Sequence, residues 1–149
     1  MSVITSGEQS VIPTLVIDGA ADAIALYKKA FNAQELSRME SPDGSKKIMH
    51  ACIQIGNSKL FISDTHPQMC ASATNSNFYL YFKDVDAAYK QATNAGLTDN
   101  MPPQDMFWGD RMGNVKDKFG ISWSMATHVR NVSPEEMAEA AKTFGNKAA

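Results

Sequence analysis

Between Lys47 and Ile55 apolar and polar residues alternate, with Met49, Ala51, Ile53 and Ile55 on one face and His50, Cys52 and Gln54 on the other. That period of two predicts a strand with one buried side. The same alternation over Asn77–Lys83 separates Phe78, Leu80 and Phe82 from Asn77, Tyr79 and Tyr81. Over Ile121–Thr127 it separates Trp123 and Met125 from Ser122 and Ser124. Shorter apolar runs at Val11–Ile17 and Lys59–Asp64 read as two further strands, Pro13 marking an edge or a strand start. Helical spacing replaces alternation at Ala20, Ile24, Tyr27 and Phe31, and again at Val85, Ala88, Tyr89 and Ala92. Asp84 is placed to cap the second helix and Gly96 to end it. A third helix starts at Ser133-Pro-Glu-Glu136, a capping box with Pro at its first position, continues to about Phe144 and stops at Gly145. Turns are expected at Asp18-Gly19, Ser41-Pro-Asp-Gly44, Gly56-Asn57 and Asp117-Lys-Phe-Gly120. Residues 1–10 read as a floppy arm and His66–Ser76 as a polar linker.

The elements repeat. Tyr27-Lys-Lys-Ala-Phe-Asn-Ala33 and Tyr89-Lys-Gln-Ala-Thr-Asn-Ala95 agree at five of seven positions, a shift of 62 residues (27 to 89). Each copy lies after a strand and before a hairpin, so the unit is β-α-β-β-β, present twice. The reading is an α+β chain, one domain over 1–149. Module one spans about 11–65, the linker 66–76, module two about 77–128 and a C-terminal helix about 133–145. The stretch Gln104–His128 anchors the second module: it holds both tryptophans, the bulky run Met106-Phe-Trp108, and a hairpin turning at Asp117–Gly120.

Composition narrows the function classes. A chain of 149 residues, 44% hydrophobic and 20% charged, suits one soluble globular domain. A net charge of −2 with no basic run argues against nucleic-acid binding. No apolar run is long enough to span a bilayer, and the polar start MSVITSGEQS lacks a basic leader segment. Cys52 and Cys70 fall in no metal or redox spacing, which favours a reducing, cytoplasmic setting with both as thiols. Gly-rich phosphate loops, nucleophile elbows and paired-cysteine knuckles are absent.

Two βαβββ units resemble the vicinal-oxygen-chelate superfamily of glyoxalase I, extradiol dioxygenases and bleomycin-resistance proteins. Within it, Val11-Ile-Pro-Thr-Leu15, Ser41-Pro-Asp-Gly44, Ile48-Met-His-Ala51 and Asp105-Met-Phe-Trp-Gly-Asp-Arg111 resemble the PhnB-like branch. Asp117-Lys-Phe-Gly-Ile-Ser-Trp123 and Val132-Ser-Pro-Glu-Glu-Met137 extend the resemblance over nearly all of the chain after residue 10. The methyltransferase label sometimes given to that branch finds no support, since no glycine cluster opens a helix to hold a nucleoside. The resemblance implies that each unit curls into half of an open barrel with a pocket on its concave side. It also implies four metal-ligand positions in metal-using members, which the repeat maps onto Ile12, Ile62, Asn77 and Ser124. Two aliphatic side chains, an amide and a hydroxyl do not replace imidazoles and carboxylates, so no cofactor and no inherited metal are expected. A relocated metal on His50, Asp64 or His66 stays open.

On a concave face so defined, alternation places His50, Cys52, Gln54, Asn77, Tyr79, Tyr81, Ser122 and Ser124. His50, the inward residue that titrates near neutrality, is the candidate general base. Phe107 or Trp108 would cap the pocket as a stacking lid, with Arg111 gripping a carboxylate or phosphate; the alternative is an aromatic subunit contact with Arg111 paired to Asp110 or Asp105. The ligand-binding set is therefore His50, Gln54, Asp64, Asn77, Tyr79, Tyr81, Phe107, Trp108, Arg111 and Ser124, with His128 expected to be silent. The leading reading is a metal-free protein that binds or sequesters a small molecule. Rival readings are a glyoxalase- or dioxygenase-like enzyme with a relocated divalent metal, and a metal-free acid–base enzyme using His50. Exposed sheet edges, together with the resemblance, predict a homodimer in which His66–Ser76 is the crossover or hinge.

Overall fold

The computed structural model describes residues 12–65 and 75–147. The chain forms two four-stranded mixed sheets, each with one helix packed on one face. The first contains β1 (Thr14–Val16), β2 (Gln34–Glu40), β3 (Ile48–Ile55) and β4 (Ser58–Ser63) in the order β1-β4-β3-β2. The second contains β5 (Asn77–Tyr81), β6 (Thr98–Asp105), β7 (Asp110–Lys116) and β8 (Ser122–His128) in the order β5-β8-β7-β6. Helices α1 (Ala20–Phe31) and α2 (Val85–Asn94) follow the first strand of each unit, and α3 (Pro134–Lys147) closes the chain. In each unit the first strand runs parallel to the last while the other pairs are antiparallel, so neither sheet closes.

Alternation explains the layers. Leu15, Ile17, Ala51, Ile53 and Ile62 meet Ala23, Ile24 and Tyr27 of α1 in one core. Val115, Trp123 and Met125 meet Val85, Tyr89 and Ala92 of α2 in the same continuous cluster. The modules join through α1 against α2 and through Trp123, whose ring lies 5.1 Å from Tyr27, 4.9 Å from Phe31 and 5.0 Å from Phe78. Asp117, which reads as a turn residue, is a buried hub: one carboxylate oxygen accepts from Tyr27 Oη at 2.7 Å and Trp123 Nε1 at 2.9 Å, and the other from the amides of Phe119 and Ile121. Burial and this carboxylate push the Tyr27 phenol well above its ordinary range.

The helix starts obey a rule that spans each module. Asp64, just past the last strand of module one, accepts from the amides of Gly19 and Ala20 at the start of α1 and from that of Ile48. Thr127, at the matching point of module two, accepts from the amide of Val85 at the start of α2 and donates to the Phe82 carbonyl. Asp84 caps α2 as its position predicts, and Ser133 caps α3.

Two local expectations change. Met39 faces His50 while Glu40 faces Ile48, so the sheet bulges at Met49. Ile48 takes the core position instead, buried, and Met49 is exposed. The third helix runs through Gly145 to Lys147 rather than stopping there, because one glycine costs a helix about 1 kcal/mol without breaking it. Cys70, the arm 1–10 and the linker up to residue 74 lie outside the described residues. Among the described residues no helix is long and apolar enough to cross a membrane.

Candidate functional site

Strand register sorts the faces opposite the helices. In module one Thr14 sits opposite Phe61 and Val16 opposite Ser63, while Cys52 faces Phe61 across β3–β4. These side chains, with His50, lie opposite the helix. The bulge at Met49 opens this face into a cavity of about 240 Å³ walled by Thr14, Val16, Met49, His50, Phe61 and Ser63. The His50 ring meets Phe61 edge-on at 4.7 Å, which fixes one wall. Cys52 is buried as a thiol on this face, and the Gln54 side chain folds back to the Gly56 carbonyl at 3.0 Å, at the hairpin end of the strand.

The matching face of module two is filled differently. Tyr79 and Tyr81 stand where Thr14 and Val16 stand in module one, and both phenols donate to Asp110 Oδ2, at 2.7 and 3.0 Å. Asp110 Oδ1 lies 3.0 Å from His128 Nδ1, and His128 Nε2 lies 2.8 Å from the side-chain oxygen of Asn131. Trp108 donates through Nε1 to Tyr79 Oη at 3.2 Å, so the indole leans over the tyrosine pair. Asp110 is 3% exposed, whereas Tyr79 and Tyr81 are 43% and 64% exposed. Farther along the face, the Asn114 amide donates to Ser122 at 2.9 Å and Ser124 at 3.0 Å, and its oxygen accepts from Asn100 at 2.8 Å.

The electrostatics of this cluster follow from its bonds. Burial pushes the Asp110 carboxyl up, but hydrogen bonds from Tyr79, His128 and Tyr81 outweigh it and hold the group below the ordinary range. His128 is raised by its bonds to Asn131 and Asp110. Burial pushes the Tyr79 phenol up to about 12; the Trp108 donor opposes it, and the bond to Asp110 adds to the rise. Near neutral pH the carboxylate is therefore ionised and both phenols are protonated donors.

Several expected site residues lie elsewhere. Arg111 points to the helix side and is clamped by Asp86 of α2 at 2.9 and 3.0 Å and by Asp105 at 3.3 Å, so it has no open fork for a ligand. Its expected partner Asp110 belongs instead to the tyrosines on the opposite face. Asp64 is fully engaged with three backbone amides, and its role is to cap α1. Phe107 packs edge-on against Trp108 at 4.9 Å and lines a shallow pocket with Val132, Arg130 and Glu136, leaving Trp108 as the aromatic over the sheet. Asn77 is exposed at the start of the edge strand, and Ser124 is tied to Asn114. His128, expected to be silent, joins the cluster. Nothing in the alternation alone marks Asp110, although its register opposite His128 follows once the β7–β8 hairpin is placed.

The metal-ligand positions also shift by one. Tyr79 pairs with Ser124 as Thr14 pairs with Phe61, so the last strands repeat at 63 residues and the counterpart of Ser124 is Phe61 rather than Ile62. The quartet Ile12, Phe61, Asn77 and Ser124 offers no imidazole or carboxylate, and such a donor set does not fit a divalent transition metal. Of the relocated set, Asp64 is engaged and His66 lies outside the described residues. Among the described residues no three His, Cys, Asp or Glu side chains gather as a metal-ligand group.

Residues 11–125 match the model of the Glyoxalase/Bleomycin resistance protein/Dioxygenase superfamily. This chain belongs to that superfamily. It is similar to an uncharacterized protein of Mycobacterium bovis, 39% identical over 148 residues, which cover 93% of this chain and 96% of that one. Protein YjdN of Escherichia coli is 28% identical over 125 residues, 69% of this chain and 84% of that protein. Among solved structures, TioX from Micromonospora is similar with a TM-score of 0.63 at 24% identity, covering 80% of this chain and 99% of that one. A Bacillus cereus structure described as a putative 3-demethylubiquinone-9 3-methyltransferase, PhnB protein, matches at 0.59 and 16% identity over 80% and 99%. These two likenesses speak for the superfamily fold alone. Within that fold, the present chain differs between its two faces: an open apolar cavity on one, a carboxylate ringed by aromatics on the other.

Proposed function

We propose that this superfamily member is a small-molecule binding or sequestering protein of the PhnB-like kind, and that its ligand lodges in the concave cavity of module one. The observation that carries the reading is the cavity of about 240 Å³ at the Met49 bulge, mainly apolar in its walls, with Thr14, Lys47, His50, Ser63 and Asp64 as its polar groups. Ligand sites combine apolar walls with a few orienting polar groups, and this volume lies below the range of about 300–1,000 Å³ usual for drug-sized ligands. The ligand class is accordingly small and largely apolar. Asp64, the carboxylate among the described lining residues, is taken up by three backbone amides rather than by His50, which favours binding over acid–base catalysis. We also propose that the chain works as a homodimer through the edge strand β5.

The test is a thermal-shift screen of metabolites and small aromatic compounds on the purified protein. A ligand present at 100 times its Kd stabilises the fold by about 2.7 kcal/mol. A hit should raise Tm in the wild type, lose affinity in His50→Ala, and fail in Ser63→Phe, which fills the cavity. Hits that bind Ser63→Phe undiminished would move the ligand elsewhere. Chelator, nickel, zinc and manganese should leave Tm unchanged. Near-stoichiometric metal in the purified protein that is lost on His50→Ala or Asp64→Ala would replace this reading with the metal-enzyme one.

A further inference from the structure

We propose that Tyr79, Tyr81 and Trp108, backed by Asp110, form a second site on module two that takes a small alkylammonium cation. The cavity of module one plays no part in this site, so either reading can fail without the other. Two tyrosine rings 5.3 Å apart and tilted by 53° present open faces beside the indole of Trp108. Their hydroxyls are both fixed on Asp110 Oδ2, which pins the rings in place before any ligand arrives. A phenol donating to an ionised carboxylate has an electron-rich ring, and an electron-rich face attracts a cation. The carboxylate beneath adds a negative charge that is 3% exposed and therefore poorly screened.

The bonding of Asp110 selects the kind of cation. One oxygen receives two phenols and the other faces His128, so the acceptor positions are largely taken. A guanidinium or primary ammonium would need free acceptors for its N–H groups. A methylated ammonium needs none and is held by charge and π-face alone. Of the basic groups nearby, Arg111 is held on the far face by Asp86 and Asp105, and Arg130 lies 3.6 Å from Glu136. His128, 3.0 Å from Asp110, and Lys59, which lines the same cleft as the two tyrosines, compete with the cation when protonated.

The chain carries its own reporters for the test. Its two tryptophans have distinct indole N–H partners, Tyr79 Oη for Trp108 at the site and Asp117 for Trp123 in the core. A ¹⁵N-labelled sample of the full chain should show two indole resonances. Titration with tetramethylammonium chloride, against sodium chloride at equal ionic strength, should move the Trp108 resonance to saturation and leave Trp123 in place. tert-Butanol, a neutral molecule of similar shape, should not move it. Tyr81→Leu should weaken the tetramethylammonium response about two- to fivefold, the worth of one exposed aromatic face. Asp110→Asn should weaken it further, and if that variant does not fold, the exposed Tyr81→Leu position carries the test. Ser63→Phe should leave the response intact. An equal response to tert-butanol, or none to tetramethylammonium, overturns the proposal. A Trp108 resonance that ignores the cation but moves on dilution assigns the face to a second copy of the chain instead.

Discussion

Tyr27, Tyr79, Tyr81 and Tyr89, all the tyrosines of the sequence, donate their phenols to Asp117, Asp110, Asp110 and Asp99 respectively. All four are pushed above the ordinary tyrosine range, chiefly by burial at Tyr27, Tyr79 and Tyr89 and by the bond to Asp110 at Tyr81. The sign for stability follows. A phenol with a raised folded value binds more protons folded than unfolded at alkaline pH, so its stabilisation is full below the unfolded value near 10 and is lost as pH rises through the folded one. For Tyr79 that window runs from about 10 to about 12. Spectrophotometric titration of the native protein should therefore show little tyrosinate at pH 10, and alkaline unfolding should coincide with its appearance; normal titration of two or more tyrosines in the native state would contradict the hydrogen bonds. Asp117 matters for a related reason. Asp117→Ala leaves the Tyr27 hydroxyl and the Trp123 indole N–H buried without acceptors, and should cost about 3 kcal/mol or more in urea unfolding.

At the scale of elements, legibility depended on whether one face of a strand is buried. The strands containing Leu80 and Trp123 alternate, and their inward and outward residues were readable from the sequence; the strand containing Ile53 was readable only from His50 onward. Gln34–Glu40 and Thr98–Asp105 are outer strands with almost no buried side chains, and the second carries Pro102 and Pro103. Such edges do not alternate, so only the repeat implied them. The bulge at Met49 was hidden because Ile48 and Met49 are both apolar, and periodicity alone cannot choose between them. The register gives a direct check: Ile48→Ala should cost about 2–4 kcal/mol, while Met49→Ala stays within about 0.5. Equal losses would place the bulge elsewhere. The site was half legible for the same reason. Tyr79 and Tyr81 face out of an alternating strand, but Asp110 becomes their partner only through pairing with β8, which no local pattern states.

For the whole molecule, the four edge strands are not equivalent. β2 and β6 are interrupted by bulges, β6 also contains prolines, and β1 has three residues next to Pro13. β5 has no proline, bulge or charge, and among the described residues it pairs only with β8. An edge of this kind readily accepts another strand, and we therefore place the proposed dimer contact there. Sedimentation at micromolar concentration should give about twice the 16.3 kDa of one chain; a wild-type monomer would remove this proposal. The crossed caps of Asp64 and Thr127 have a further consequence for how the molecule breathes. The α1 amides they hold, at Gly19 and Ala20, are bonded to a residue 44 or more positions away, so fraying of the helix end cannot expose them without loosening the end of β4 as well. In deuterated water these first-turn amides, which ordinarily exchange fastest in a helix, should exchange with the slow core of module one. The first turn of α3, capped by its own Ser133, should exchange far sooner.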